Sequence, residues 1–269
     1  SSSRTRVFQY LPFLQKHGVV CEVLTVLPDS VLSGSQLVVT RNPVAKAFYY
    51  ARTAWRTALI GLSAWRRARG ADVLLVQKVI LPAPLRWLLR RRRTPLAYDF
   101  DDAIFTTEVR GGSLLARWKE RRNATGLPAM LAIADRAVVE NDYTGDLARR
   151  HCPVTTITGP IDTAPFAQVP RRKTGPPVVL GWIGSATTVA YLDLIAEPLR
   201  RLTATGVALR VCVVGAEWSA DGVDVECREW QLEREAEDLA GWDIGLMPLP
   251  DDPWTRGKGG YKLLQYMAA

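Results

Sequence analysis

Two lysines and three glycines near the carboxyl end of the chain have the residue types and spacing of an anion-binding segment. The glycines open a helical pattern and are Gly257, Gly259 and Gly260. Glycine leaves backbone N–H groups uncovered, and the start of a helix attracts anions. Lys258 and Lys262 add two positive charges within about one helical turn. The segment predicts a diphosphate site, and the alternative is a glycine-rich loop with two solvated lysines.

A second segment with anion-binding chemistry follows the apolar run at residues 178–183. This segment, residues 184–188, reads Gly-Ser-Ala-Thr-Thr and precedes another helical pattern. A glycine and small hydroxyl residues at a strand-to-helix turn let backbone N–H groups approach a phosphate closely. Serine and threonine also cap ordinary helices. Gly184, Ser185 and Thr188 therefore have two interpretations, a phosphate site and a helix cap.

Three carboxylates end a predicted strand in the first half of the chain. They are Asp99, Asp101 and Asp102. Open α/β sheets bind their ligands at the carboxyl ends of the strands, so the position favours a functional role. The residues themselves leave three roles open: binding a divalent metal ion, acting as a base or charge stabiliser, and capping the next helix.

Apolar strand patterns alternate with helical patterns along most of the chain. The predicted strands cover residues 21–27, 72–77, 136–140, 178–183, 209–214, 223–227 and 244–249, and two more begin at residues 96 and 154. Strands separated by helices imply parallel sheets with right-handed crossovers. A connector rich in glycine and proline follows the strand that begins at residue 154. We therefore expect two Rossmann-like domains, residues 1–172 and 173–269.

Composition bounds the class of protein. The chain has 269 residues, of which 48% are hydrophobic, and this is enough for two domains. The sequence has no apolar run of bilayer length and no signal-peptide pattern, so we expect a cytoplasmic protein. Its four cysteines form no C-x-x-C pair, so neither a zinc site nor a disulfide framework is indicated.

The charge is distributed unevenly along the chain. Residues 1–170 hold 24 Lys and Arg against 13 Asp and Glu, whereas residues 171–269 hold 11 against 14. The basic first half predicts contact with an anionic surface.

A basic amphipathic helix is predicted over residues 44–70. Its apolar face is formed by Val44, Phe48, Ala51, Trp55, Ala58, Leu62 and Trp65. Residues 90–93 are four successive arginines, which repel one another unless anions are near. One interpretation is a helix packed on a sheet with solvated arginines, and the other is an anionic membrane surface. Nucleic acid is not expected, because no aromatic residues are interleaved for base stacking.

The segment from residue 243 to residue 269 resembles the donor site of a known enzyme family. Its sequence, DIGLMPLPDDPWTRGKGGYKLLQYMAA, is similar to that of the family 4 glycosyltransferases of the GT-B fold. The resemblance begins at Arg4 and is strongest over residues 181–269 and 98–103. In most of that family two glutamates eight positions apart flank this loop, and the second typically holds the donor ribose. Gly257 and Gln265 stand at those places here, and Gln265 can hydrogen-bond a hydroxyl but brings no charge.

The resemblance implies transfer of a sugar from a nucleoside-diphosphate sugar to an acceptor held by the first domain, with retention at the anomeric carbon. The acceptor would be a sugar or glycolipid in cell-surface polysaccharide or glycolipid synthesis, at the inner face of the membrane. No cofactor and no metal are expected, because GT-B enzymes neutralise the diphosphate with cations and helix dipoles. The serines at residues 1–3 and the uncapped end at residues 268–269 indicate a fragment that lacks both ends, with the second domain incomplete.

The resemblance also assigns roles to individual residues. Asp101 and Asp102 would act at the sugar, with Asp99 structural. Arg228 or Trp230 would contact the base, and the alternative for Trp230 is an ordinary packed side chain. The donor-binding residues would be Gly184, Ser185, Thr188, Arg228, Lys258, Gly259, Gly260, Tyr261, Lys262 and Gln265.

Two rival functions remain. A GT-B epimerase acting on a nucleotide sugar would use the same second domain, but it needs acid and base carboxylates at the donor sugar. A non-enzymatic basic protein that binds an anionic polymer or membrane would explain the first half of the chain, but it leaves residues 258–265 without a purpose.

Overall fold

The protein consists of two α/β units. The computed structural model describes residues 2–26, 43–106, 114–171 and 175–269. The chain divides into a first unit, Ser1–Thr158, and a second unit, Gly159–Ala269. Each unit has one four-stranded sheet in which all neighbouring strands are parallel. The predicted α/β class with two parallel sheets is therefore confirmed.

The sheet of the first unit has the strand order β1-β2-β3-β4. Its strands are β1 (Leu74–Gln77), β2 (Leu96–Phe100), β3 (Arg136–Val139) and β4 (Val154–Thr156). The register places Tyr98 of β2 between Val76 and Ala137. Leu96, Tyr98 and Phe100 are fully buried, because a central parallel strand is covered on both faces.

Six helices accompany this sheet in the described residues of the first unit. They are α1 (Ser2–Arg6), α2 (Leu11–Lys16), α3 (Pro43–Arg67), α4 (Ala83–Arg90), α5 (Leu114–Leu131) and α6 (Asp142–Ala148). The predicted long basic helix is α3, and it packs on α4 at Gly61, where a Cβ atom would lie 2.6 Å from Leu85 Cδ1. In the part of the chain that the structure describes, no helix is long and apolar enough to cross a membrane.

The second sheet has the strand order β7-β6-β5-β8. Its strands are β5 (Val178–Ile183), β6 (Leu209–Val214), β7 (Asp224–Arg228) and β8 (Ile244–Gly245). The helices are α7 (Ala164–Ala167), α8 (Asp193–Ala204), α9 (Glu235–Ala240), α10 (Pro253–Arg256) and α11 (Tyr261–Ala268). Trp182 packs with Leu192 and Val211 on one face, while Cys212 and Val214 pack on the other, so the apolar runs of β5 and β6 are covered on both sides.

Strand β8 is shorter than the predicted strand at residues 244–249. The Leu246 backbone N–H still donates to the Gly181 carbonyl at 2.7 Å, but the regular pairing ends at Gly245. Pro248 and Pro250 follow, and proline has no N–H group to continue the ladder. The chain therefore leaves the sheet early and enters the loop that precedes α10.

The boundary between the two units lies between Thr158 and Gly159 in the sequence, whereas the sequence analysis predicted a domain boundary near residue 172. The intervening segment belongs to the second unit because Phe166 of α7 is buried in its core with Cys212 and Leu239. The glycine- and proline-rich composition of the connector indicated a linker. Burial of one aromatic side chain determines instead where the segment packs.

No strand forms at residues 21–26, although the sequence predicted one over residues 21–27; Leu27 lies outside the described residues. Apolar alternation is necessary for such a strand but not sufficient, since its backbone groups need a neighbouring strand. None of the pairings of the described strands involves this segment.

Candidate functional site

The two anion-binding segments predicted from the sequence lie together in the second unit. Lys262 in the first turn of α11 places its Nζ 4.3 Å from the centroid of the Trp182 ring. A Cβ atom on Gly184 would lie 2.9 Å from that Nζ and 2.3 Å from the Trp182 ring. The ammonium group of Lys262 therefore lies at the loop that follows β5, where only glycine fits.

The electrostatics at Lys262 favour an anion. The pKa of Lys262 is lowered to about 8, first by burial and then by the positive charge of Lys258. Among the described residues, no carboxylate forms an ion pair with Lys262. Lys258 itself lies with its Nζ 5.4 Å from the centroid of the Trp254 ring. Two lysines that repel each other would both be stabilised by a diphosphate placed between them.

The start of α11 is shaped by a short capped helix and a glycine turn. The Asp252 side chain accepts a hydrogen bond from the Thr255 backbone N–H at 2.7 Å and caps α10. Gly260 then takes a φ of 72°, a left-handed conformation that favours glycine. The N-cap residue of α11 is Gly260, which has no side chain to cap the helix. No side-chain oxygen of the N-cap residue therefore competes with an anion at the positive end of α11.

The loop after β5 is held by its own hydroxyl groups. Ser185 Oγ lies 2.8 Å from Thr187 Oγ1, and Thr188 Oγ1 donates to the Ser185 carbonyl at 3.2 Å. Thr188 does not cap the 3-10 turn Val189–Leu192 with its side chain. The hydroxyl groups of Ser185 and Thr188 therefore fix the shape of the loop beside Gly184.

Arg228, predicted beside the base, is engaged in ion pairs inside the second unit. Its Nε donates to Glu226 at 2.6 Å, and its guanidinium also pairs with the buried Asp238 at 3.1 Å. The hydrogen bond with Glu226 is the main cause that raises the pKa of Arg228. The guanidinium thus links the end of β7 to α9.

Gln265 is 4% exposed and does not face solvent. Its Nε2 donates to Glu235 Oε1 at 3.1 Å, and the indole N–H of Trp230 donates to the other oxygen of Glu235 at 2.9 Å. The sequence analysis missed Glu235, because thirty residues separate it from Gln265 and no spacing rule connects them. The only signal for it was the acidic character of its helix.

In the first unit, Lys78 joins Asp101 and Asp102 at the carboxyl ends of β1 and β2. Its Nζ lies 2.8 Å from Asp101 Oδ1 and also pairs with Asp102. Burial lowers the pKa of Lys78, but the charges of Asp101 and Asp102 outweigh burial and raise it above its usual value. The side chain of Asp102 is used in this ion pair. Sequence reasoning missed Lys78, whose backbone φ is 58°.

Asp99 is held separately by an arginine from α1. The Nε of Arg6 lies 2.9 Å from both carboxylate oxygens of Asp99, and both side chains are buried. Asp99 therefore ties α1 to the sheet, and the neighbouring ion pairs neutralise much of the carboxylate charge. Within residues 2–26, 43–106, 114–171 and 175–269, no group of three His, Cys, Asp or Glu residues is arranged to hold a metal ion.

No protein-family model matches the chain, and no curated protein matches it. Solved structures do match. A trehalose 6-phosphate synthase from Burkholderia multivorans is 12% identical over 81% of this chain and 58% of that chain, with a TM-score of 0.54. MurG from Acinetobacter baumannii is 11% identical over 79% of this chain and 62% of that chain, with a TM-score of 0.40.

The chain spans less than two thirds of the length of each of these two proteins. The likeness to the synthase concerns the fold, because so few residues are identical. The synthase is a GT-B glycosyltransferase, and the two α/β units described above are the corresponding architecture. The chain therefore has the GT-B fold, as its donor-site segment predicted.

Proposed function

We propose that the chain is the core of a glycosyltransferase that takes a sugar from a nucleoside-diphosphate sugar. The observation that carries the proposal is the ammonium group of Lys262, partly buried beside Gly184 and Trp182 without a carboxylate partner among the described residues. Burial of a charge is unfavourable unless it is compensated. A cation–π contact supplies only about 0.5 to 2 kcal/mol, so a bound anion is needed to complete the site.

A diphosphate fits this site better than a single carboxylate or an uncharged ligand. Lys258 and Lys262 bring two cations, and the uncapped start of α11 brings backbone donors. Phosphate oxygens accept hydrogen bonds from both kinds of group. The GT-B fold and the resemblance of residues 243–269 to a donor site support the nucleotide sugar as the source of that diphosphate.

In this proposal Asp101 and Asp102 act on the transferred sugar, and transfer proceeds with retention at the anomeric carbon. Departure of the nucleotide builds positive charge on the sugar ring, and a carboxylate stabilises that charge or holds an acceptor hydroxyl. Lys78 pairs with both carboxylates and orients them. No cofactor has a role in this scheme, and the acceptor is a sugar or glycolipid.

We also propose that the first unit binds an anionic membrane surface, at the cytoplasmic face. Phe48, Trp55 and Leu59 of α3 are 69%, 67% and 50% exposed, and spacings of seven and four residues place them on one side of the helix. The predicted apolar face is thus divided, since Leu62 and Trp65 are more buried. The helix has no acidic residue in its sequence. Aromatic side chains beside arginines are typical of interfacial helices.

The arginine run at residues 90–93 adjoins this surface through α4, which packs on α3. Arg91 lies over the exposed ring of Trp87, with its Cζ 3.7 Å from the ring centroid. Arg92 turns inward and pairs with Asp135 at 2.5 Å. Three of the four arginines are therefore exposed to anionic head groups, each contributing about 1 kcal/mol near such a surface.

Replacing Lys258 or Lys262 by alanine tests the diphosphate site. Either change should weaken binding of UDP, GDP or ADP, whichever the protein prefers, by about 1.5 to 3 kcal/mol, the scale of a hydrogen bond to a charged group. Calorimetry on the complete gene product gives the affinities, and Lys16→Ala, an exposed lysine of α2, is the matched control. Unchanged affinity in both Lys258→Ala and Lys262→Ala would contradict the assignment of the diphosphate site to these lysines.

The pH dependence of binding follows from Lys262. Its pKa is about 8, so the charged form that attracts the anion is fully present below that pH and is lost as the pH rises through it. Affinity for the nucleoside diphosphate should fall by up to about tenfold per pH unit above the pKa. Lys262→Arg keeps the charge and should flatten this fall. The same steep fall in both proteins would show that another group titrates.

Asp101→Asn and Asp102→Asn test the chemical step. Each should lower turnover by about a hundredfold while donor affinity stays nearly intact, because the interaction strengthens in the transition state. Turnover, donor affinity and melting temperature are measured on the same proteins, with the exposed Asp146→Asn as control. Normal turnover and normal melting in both variants would show that neither carboxylate acts in the active site.

Release of free nucleoside diphosphate without a glycosylated product would favour an epimerase.

Membrane binding is tested by sedimentation with phosphatidylglycerol vesicles at low salt. The protein should pellet with the vesicles and be released by high salt, because screening weakens surface charge attraction. Trp55→Ala should reduce binding by about tenfold, the equivalent of about 1.5 kcal/mol of lost apolar burial. Leu202→Ala, an exposed leucine of α8, is the control. A protein that stays in the supernatant at low salt would argue for an acceptor in solution.

A further inference from the structure

Gly215, the first residue after β6, packs with its backbone against the backbone of the loop that follows β5. Its φ is 90°, a left-handed conformation that favours glycine. A Cβ atom added to Gly215 would lie 2.3 Å from the carbonyl oxygen of Gly184, far closer than two such atoms can approach. Because Gly215 has no side chain, the Gly184 carbonyl can occupy this space.

Backbone hydrogen bonds to neighbouring strands hold both glycines in place. The Gly184 N–H donates to the Val214 carbonyl at 3.0 Å, and the Gly215 N–H donates to the Arg228 carbonyl at 2.8 Å. The side chain of Arg228 is itself held by two carboxylates of the second unit. The ends of β5, β6 and β7 are therefore joined in series, and displacement of either loop strains a backbone hydrogen bond.

The contact sets the direction of a peptide group beside the proposed diphosphate site. In a trans peptide the C=O and N–H groups point in opposite directions, so a Gly184 carbonyl directed at Gly215 turns the Ser185 N–H to the other side. A Cβ atom on Gly184 would lie 2.9 Å from Lys262 Nζ, so the ammonium group is a close neighbour of this peptide.

The Gly184 carbonyl nevertheless accepts no hydrogen bond from Lys262 in the part of the chain that the structure describes. A carbonyl oxygen turned toward the ammonium group would use one of its three donors. The negative end of the carbonyl dipole would also repel an anion bound there. The direction of this one carbonyl therefore matters for anion binding.

We propose that Gly215 is a positioning residue for the diphosphate site, because its bare backbone receives the Gly184 carbonyl and so keeps that oxygen from the ammonium group of Lys262. This role rests on the proposed diphosphate site. It gives a part in anion binding to a residue that has no side chain and that the sequence analysis did not select.

The competing explanation is that Gly215 only permits the turn at the end of β6. Both explanations predict that alanine at this position lowers stability, because a side chain is strained at a φ of 90°. If only the turn matters, the folded variant keeps an unchanged anion site. If Gly215 positions the Gly184 carbonyl, the added methyl group displaces that oxygen and alters both the affinity of the site and the titration of Lys262.

The first experiment compares Gly215→Ala with Gly206→Ala by calorimetry on the complete gene product. Gly206 has a φ of 86°, but a Cβ atom there would meet nothing within 4 Å, so Gly206→Ala carries the backbone strain without the clash. Both variants should melt at a lower temperature than the unmodified protein. Only Gly215→Ala should bind pyrophosphate and the preferred one of UDP, GDP and ADP about tenfold or more weakly, the effect of losing one hydrogen bond to a charged group.

The pH profile of binding is the second readout. Burial, followed by the charge of Lys258, lowers the pKa of Lys262 to about 8 in the unmodified protein. In Gly215→Ala the displaced loop either brings the carbonyl to the ammonium group or uncovers it, and both changes favour the charged form. The pKa of Lys262 should rise, so the fall in affinity should move to higher pH. The profile of Gly206→Ala should match that of the unmodified protein.

Amide hydrogen exchange on the unmodified protein tests the same contact without any substitution. Exchange is measured with and without the preferred nucleoside diphosphate. The amides of Gly184 and Gly215 should be slowed together by the ligand, since the backbone contact makes the two loops open as one unit. The Gly206 amide, at the opposite end of β6, should exchange at an unchanged rate.

Three results would overturn the role of Gly215. They are equal affinities in Gly215→Ala and Gly206→Ala, an unchanged pH profile in Gly215→Ala, and slowed exchange at Gly184 without slowed exchange at Gly215. The exchange measurement decides the matter even if Gly215→Ala does not fold. If Lys258→Ala and Lys262→Ala still weaken binding in these cases, the diphosphate site stands and only the role of Gly215 fails. A protein that binds none of the probes overturns the diphosphate site and this role with it.

Discussion

The ammonium group of Lys262 is held 4.3 Å from the centroid of the Trp182 ring, in a space that only a glycine at position 184 leaves open. Trp182 is fully buried and packs in the core of the second unit with Leu192 and Val211. The position of the charge is therefore fixed by the same contacts that stabilise the sheet. A side chain at position 184 would displace the ring or the lysine, so the site and the core cannot vary independently.

This arrangement also explains why the site is made from segments distant in sequence. The loop after β5, the loop after β7 and the start of α11 all border the carboxyl edge of one parallel sheet. In a parallel sheet each strand ends at that edge, so each connection contributes its first residues there. Short polar contacts, such as Trp230 and Gln265 with Glu235, then fix the connections to one another.

The sequence predicted local strands, turns and helices better than it predicted which side chains pair with one another. The strand-loop-helix order of residues 243–269 and the glycine turn before α11 follow from local patterns, and the structure has both. The pairings of Lys78 with Asp101 and of Arg6 with Asp99 join residues more than twenty positions apart, which no periodicity encodes. The prediction of a strand at residues 21–26 was wrong for the same reason, because apolar alternation does not provide a neighbouring strand.

Net charge by itself would favour an anion site in the first half of the chain, whereas the site that we propose lies in the second. The first 170 residues are strongly basic, yet at the carboxyl edge of their sheet the cations Arg6 and Lys78 are already paired with carboxylates. The second half has an excess of acidic residues, yet Lys262 lies there without a carboxylate partner among the described residues. The strength of an anion site depends on whether a cation is compensated locally, since surrounding charges on the surface are screened within about 10 Å. The basic excess of the first unit lies instead on exposed helix surface, and such a distribution is suited to large anionic partners more than to a small ligand.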